Sequence, residues 1–243
     1  VIYVKNIAKS YKIHFWAKPF RVIEDLSFTI EKGAIVGFLG PNGAGKTSTI
    51  KMLMGFTQPT HGEIYFNDVP IRDKKDFFRF VGFMPERLNF YPTLTGMEIL
   101  HYLGSLSDVK KNLLNERIQY YSKKLNITEA LDRAVSTYSK GMIQRLGFVA
   151  AIIHEPEVLI LDEPLSGMDP VGRKVMKDIL VDINQQGKTI FFSSHIVSDV
   201  EQICKKVIVL DKGKLIHGGD IDQMLDGNNS EKSLEEFIYG ISK

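Results

Sequence analysis

Gly40-Pro41-Asn42-Gly43-Ala44-Gly45-Lys46-Thr47 fits the spacing G-x-x-x-x-G-K-[ST]. Glycines at these positions let the backbone curl, so that successive N–H groups converge on phosphate oxygens. The start of a following helix adds partial positive charge at the same place. Lys46 is expected to reach the β- and γ-phosphates, and the Thr47 hydroxyl to ligate Mg²⁺. A second chemical group is Asp162-Glu163, directly after the apolar run Val158-Leu159-Ile160-Leu161. There Asp162 suits a metal role, usually through water. Glu163 suits a general base or water-positioner for attack on a γ-phosphate. Ser193-Ser194-His195 ends another apolar run. His195 is expected to orient water and to stabilise charge on the transferred group. These residues imply binding of a nucleoside triphosphate and leave open what its hydrolysis drives.

Each of these residues needs a strand end or a helix start to hold it. Ile35 to Leu39 reads as a strand into the glycine loop and Lys46 to Met54 as a helix out of it, with Gly55 as a stop. Strand, glycine turn and helix are the context the loop requires. Residues 1 to about 30 alternate as strands do, and Pro59-Thr60-His61-Gly62 is a turn signal before a strand at Glu63-Ile64-Tyr65-Phe66. Val81-Gly82-Phe83-Met84 is a short strand halted by Pro85. From about 95 to 153, apolar residues recur at helical spacing in Glu98 to Gly104, Leu113 to Leu125 and Met142 to Ile153. That reads as a helical lobe inserted into an α/β core. The core resumes at Val158 to Leu161, apolar throughout as inside a parallel sheet, then at Thr189 to Phe192 and Val207 to Leu210. Ligands collect at the carboxyl ends of such strands, where Asp162, Glu163 and His195 fall. The stretch 218–243 reads as a polar tail with an amphipathic candidate at Leu234 to Ile241.

Composition narrows the classes. A chain of 243 residues fits one large domain or a core with an inserted lobe. Net charge is +2, so no strong basic field invites nucleic acid, and no direct nucleic-acid partner is expected. Cys204 is the sole cysteine, which leaves no intrachain disulfide. No apolar run approaches the roughly 18 residues that span a bilayer. The start shows no signal-peptide pattern and begins at Val1, so an initiator Met is expected to be missing. A membrane role is therefore expected to go through a partner.

Tyr138-Ser139-Lys140-Gly141-Met142 opens a helix ahead of Asp162. It resembles the signature motif of ABC-transporter ATPases, usually Leu-Ser-Gly-Gly-Gln, and the rest of the chain follows that family's order over residues 1 to about 217. The resemblance implies an α/β P-loop NTPase core with an N-terminal antiparallel β-subdomain and an α-helical subdomain inserted at about 87–153, followed by the tail 218–243. It implies that ATP is held by Tyr11, Gly40 to Ser48, Ser139 and Gly141, with Lys46, Glu163 and His195 catalytic. Tyr11 resembles the aromatic that stacks on adenine; Phe15 and Trp16 are the alternatives. Phe83-Met84-Pro85-Glu86 resembles the loop that joins core to lobe, and implies Mg²⁺ at Thr47, Glu86 and Asp162. Ser166-Gly167-Met168-Asp169 resembles the loop after the catalytic Glu and implies a dimer seam at Ser166, Gly167 and Asp169. In that family two ATPs are sandwiched in a head-to-tail dimer, Ser139 and Gly141 facing the γ-phosphate held by the other subunit.

Three residues depart from the family pattern. Lys140 replaces a Gly, and either adds charge beside the phosphates or points to solvent. Met142 replaces the Gln. Glu86 replaces another Gln; it could ligate Mg²⁺ directly, but adds negative charge near the triphosphate. The resemblance further implies an integral membrane permease, whose short helix docks in a groove lined by Arg87 to Pro92. The second ATPase is another copy or a paralogue. The protein then sits at the cytoplasmic face of the membrane through the permease. The Pro85-Glu86 pattern, Tyr138 to Met142 and the tail Ser233-Leu234-Glu235-Glu236-Phe237 resemble ATPases of ABC-2-type exporters. Transport is thus expected to be export. The competing expectation is a soluble, non-transport ABC ATPase acting on ribosomes or nucleic acid.

Overall fold

The computed structural model describes residues 1–12, 14, 16, 18–73, 77–226 and 234–235. The chain forms two units: Val1–Phe77 with Thr189–Lys243, and Phe78–Lys188. Along the chain come β1 (Ile2–Tyr11), β2 (Phe20–Ile30), β3 (Ile35–Leu39), α1 (Lys46–Leu53), β4 (His61–Phe66) and β5 (Val69–Pro70). Then follow α2 (Phe77–Phe80), β6 (Val81–Met84), α3 (Gly96–Leu106), α4 (Lys111–Lys124), α5 (Lys140–Ile152), β7 (Val158–Leu161) and α6 (Pro170–Gln185). The described elements end with β8 (Thr189–Ser194), α7 (Val197–Ile203), β9 (Lys206–Asp211), β10 (Lys214–Asp220) and α8 (Ile221–Asp226).

The first unit holds an antiparallel sheet in the order β2-β1-β4-β5. It also holds a group in which β3 pairs in parallel with both β8 and β9, and β10 closes on β9 antiparallel. β3 and β8 are buried along their whole length, and neither carries a charged residue. Phe38 and Phe191 meet at 5.2 Å between ring centroids, and Phe28 from β2 stacks on Phe191 at 6.0 Å. This cluster packs the antiparallel sheet onto the central strand. The Asn67-Asp68 turn between β4 and β5 has both residues left-handed, φ 48 and 63, as a tight hairpin demands.

Two expectations shift here. The turn at 59–62 is shorter than expected, because His61 already pairs with Ala8. β10 runs through residues 218–220 of the stretch read as tail, and α8 follows it. Gly218-Gly219 and alternating polar residues hide that strand from a hydropathy reading. Of the amphipathic candidate at 234–241 only Leu234 and Glu235 are described, and Leu234 is buried.

In the second unit β6 and β7 pair in parallel from Val81↔Val158 to Met84↔Leu161. Helices α3 to α5 occupy 96–152. Thr95 and Glu98 start α3 with a reciprocal capping box. α6 starts at an Asp169 N-cap with Pro170 in its first turn, and buries Met176, Ile179, Leu180 and Ile183 at helical spacing.

Candidate active site

The first unit carries the phosphate loop. β3 delivers the chain at Leu39 and α1 takes it up at Lys46. Between them Gly43 and Gly45 are left-handed, φ 83 and 107, a conformation that L side chains rarely adopt. A Cβ at Gly45 would also fall 2.5 Å from Ile23 Cδ1. Gly45 is the N-cap of α1 and offers no side-chain cap. The N–H groups of Asn42, Gly43, Gly45, Thr47 and Ser48 find no backbone acceptor among the described residues. Orphaned amides at the start of an eight-residue helix are what a phosphate would satisfy. Lys46 is buried and donates to Gly40 O at 2.7 Å and to Pro41 O at 3.3 Å. The loop thus fits the phosphates of ATP.

Other candidates in this unit sit at strand ends. Tyr11 ends β1 half-buried, its ring centroid 6.0 Å from Phe20, with Lys9 Nζ 5.1 Å above it. Trp16 is 77% exposed and stacks on His14 at 5.2 Å; Phe15 lies outside the described residues. His195 is exposed just after β8. The Ser194 hydroxyl donates to Ile196 O at 3.2 Å and accepts from Ile196 N–H at 3.0 Å, so it brackets the histidine in a tight turn.

The second unit carries the acids and the signature helix. Asp162 is buried, and its N–H continues the strand ladder to Met84 O at 2.8 Å. Glu163 is half-buried with a left-handed backbone, φ 51. That conformation costs a non-glycine residue about 1 kcal/mol or more, so its surroundings must hold it. They do: Gln144 Nε2 donates to Glu163 O and to Pro164 O, each at 3.1 Å, and Ser166 N–H donates to Glu163 O at 3.1 Å. Glu86 is exposed after β6 and has no ion-pair partner among the described residues. No group of three His, Cys, Asp or Glu side chains gathers among the described residues. The hydroxyl of Thr47 in the first unit and the carboxylates of Asp162 and Glu86 in the second are each the kind of hard oxygen donor that Mg²⁺ takes.

Ser139 is the N-cap of α5, its Oγ accepting from Met142 N–H at 3.3 Å. Tyr138 stands where the family motif has an apolar residue. Its buried hydroxyl donates to Ala130 O at 2.6 Å, and burial raises its pKa. Met142 Sδ lies 3.9 Å from Arg133 Nη2. Lys140 is exposed, and a Cβ at Gly167 would fall 2.6 Å from Lys140 Cε, so the lysine stem passes over that glycine. Asp169 Oδ1 accepts from Gly172 N–H at 3.0 Å and from Arg145 at 2.9 Å. Ser166 follows the turn from Glu163.

Gln144 and Arg145 were not singled out in the sequence. Their signal was two polar residues interrupting the otherwise apolar run from Ile143 to Ile153.

The same unit has a cavity of about 340 Å³ lined by Pro85, Leu88, Phe90, Leu103, Leu106 and His154, among others. Leu88 and Phe90 come from the stretch expected to line a docking groove. Burial lowers the His154 pKa, and its Nε2 lies 3.3 Å from Val81 O. Among the described residues no helix is long and apolar enough to cross a membrane.

The family described as ABC transporter matches residues 23–166. An uncharacterized ABC transporter ATP-binding protein of Synechocystis sp. is 40% identical over 255 residues, spanning 100% of this chain and 72% of that protein. Among solved structures, one titled the ATP binding subunit of an ABC transporter superposes with TM-score 0.90 at 27% identity, over 100% of this chain and 99% of that one. The dimeric ATP-binding cassette MJ0796, solved in a post-hydrolysis state with ADP and Pi, shares the fold with TM-score 0.83 at 20% identity, over 91% of this chain and 99% of that one.

Proposed function

The chain belongs to the ABC transporter family, and from that premise we propose that it is the ATP-binding and ATP-hydrolysing subunit that powers a separate membrane permease. The observation that carries this reading is the phosphate loop, whose amides without a backbone acceptor among the described residues, together with Lys46, suit a triphosphate. ATP binds with its phosphates on the N–H groups of Asn42, Gly43, Gly45, Thr47 and Ser48 and on the Lys46 ammonium, and its adenine stacks on Tyr11. Glu163 accepts the proton of the attacking water, and His195 orients that water. Thr47, Asp162 and Glu86 would hold Mg²⁺, which would supply charge neutralisation on the phosphate oxygens.

A second copy, or a paralogue, completes the site. Ser139 and Gly141 at the start of α5 offer a helix N-terminus to the γ-phosphate of the opposite chain. Ser166, Gly167 and Asp169 then lie along the seam. ATP draws the two chains together and hydrolysis releases them. Dimeric MJ0796 supports this at the level of fold.

The cavity beside Leu88 and Phe90 receives a short permease helix, which would hold the protein at the cytoplasmic face of the membrane. Export is the direction we assign, from the Pro85-Glu86 and Tyr138 to Met142 patterns. The test is a mild-detergent pull-down of the tagged chain from its native membranes. A stoichiometric polytopic protein is the expected catch. Recovery of ribosomal or DNA-bound partners alone would favour a non-transport ATPase instead.

A further inference from the structure

We infer that Gln144 is a positioning residue for Glu163, acting through the backbone of the loop rather than on substrate. The inference rests on reading Glu163 as the base. Gln144 is 4% exposed, so its amide has exchanged water for the two carbonyls it meets. Those carbonyls belong to Glu163 and Pro164, in the two peptide bonds that follow the left-handed Glu163. A buried donor pair at this point locks the backbone in a conformation it would otherwise leave.

Gln144 does not act alone. Lys140 and Gly141 lie one helical turn before Gln144 and Arg145, so the four residues share a face of α5. Gln144 holds the start of the loop at Glu163. Lys140 and Gly141 lie against Gly167 in its middle. Arg145 holds its end at Asp169. The helix that presents Ser139 at its start therefore also sets the backbone that aims the base. The Glu163 carboxylate is aligned only while α5 keeps this register.

The test uses the purified full chain with Gln144→Met, which keeps bulk and loses the donor, and Gln144→Glu, which turns the donor into an acceptor. Melting curves establish that both fold. We expect kcat for ATP to fall about tenfold or more with KM within about twofold, the mark of a group that serves the transition state and not binding. In the nucleotide-free protein, hydrogen exchange at the Ser166 amide, which bonds Glu163 O, should accelerate in both variants while the phosphate loop is unchanged. Wild-type kcat in Gln144→Met, with wild-type exchange across 163–169, would overturn the inference. If the wild-type chain itself fails to turn over ATP, the ATPase reading falls, and the exchange measurement alone decides the role of Gln144.

Discussion

Arg145 and Gly172 donate to one and the same oxygen of Asp169, at 2.9 and 3.0 Å. The carboxylate thus caps α6 and ties it to the signature helix α5 in a single contact. Arg145 is mostly buried, its side chain 17% exposed, so the carboxylate is also its main compensation. Asp169→Ala removes cap and ion pair together. We expect a loss of about 1–2 kcal/mol in urea unfolding, typical of a lost N-cap plus an uncompensated charge. Asp169→Asn keeps the cap and should lose less than half as much. Equal losses would mean that the ion pair, not the cap, carries the stability.

Lys46 tests the phosphate loop. Its ammonium bonds the carbonyls of Gly40 and Pro41. Lys46→Ala should cut affinity for a fluorescent ATP analogue by about tenfold or more, since it removes a charge-assisted contact to the phosphates. ATP affinity within about twofold of wild type would move the triphosphate away from this loop.

Ser139 tests the seam. Its hydroxyl caps α5 with Oγ 3.3 Å from Met142 N. Ser139→Arg puts a bulky cation where the opposite chain's γ-phosphate is proposed to lie. Turnover should be lost and ATP affinity of the single chain kept, with no ATP-dependent dimer in sedimentation. An ATP-dependent dimer in that variant would count against the head-to-tail arrangement.

His154 makes stability depend on pH. Burial is the main cause of its lowered pKa, Arg117 and Lys188 push the same way, and Val81 O opposes them. The unfolded chain takes up this proton near the ordinary value of 6.5, the folded chain only at lower pH. Below that value the unfolded state binds more protons, so the histidine's contribution falls as pH drops from 6.5 toward the folded pKa. The melting temperature of His154→Gln should therefore decline less steeply than that of wild type between about pH 7 and pH 5. Parallel curves would show that His154 is not a source of the slope.

The legible parts of this molecule are those encoded locally. The glycine loop could be read because its φ values demand glycine within a few residues of the helix it caps. Asp162 and His195 could be read because an apolar strand points at each. The loop clamp could not, because Gln144 and Glu163 meet only after α5 and β7 have packed, and nothing local to either residue marks the other. The approach of the Lys140 stem to Gly167 could not be read for the same reason: the two are remote in sequence. β10 escaped because a strand with Gly218 and Gly219 buries too little to show in hydropathy.

The most direct test of the account is sedimentation of Glu163→Gln with and without ATP and Mg²⁺. Glu163 stands at the end of β7 with its backbone held left-handed, so losing its basicity should stop turnover and leave the phosphate loop intact. The account predicts ATP binding close to wild type, no measurable hydrolysis, and a shift from monomer to dimer only when ATP is present. A variant that hydrolyses ATP at the wild-type rate, or stays monomeric with ATP bound, would contradict it.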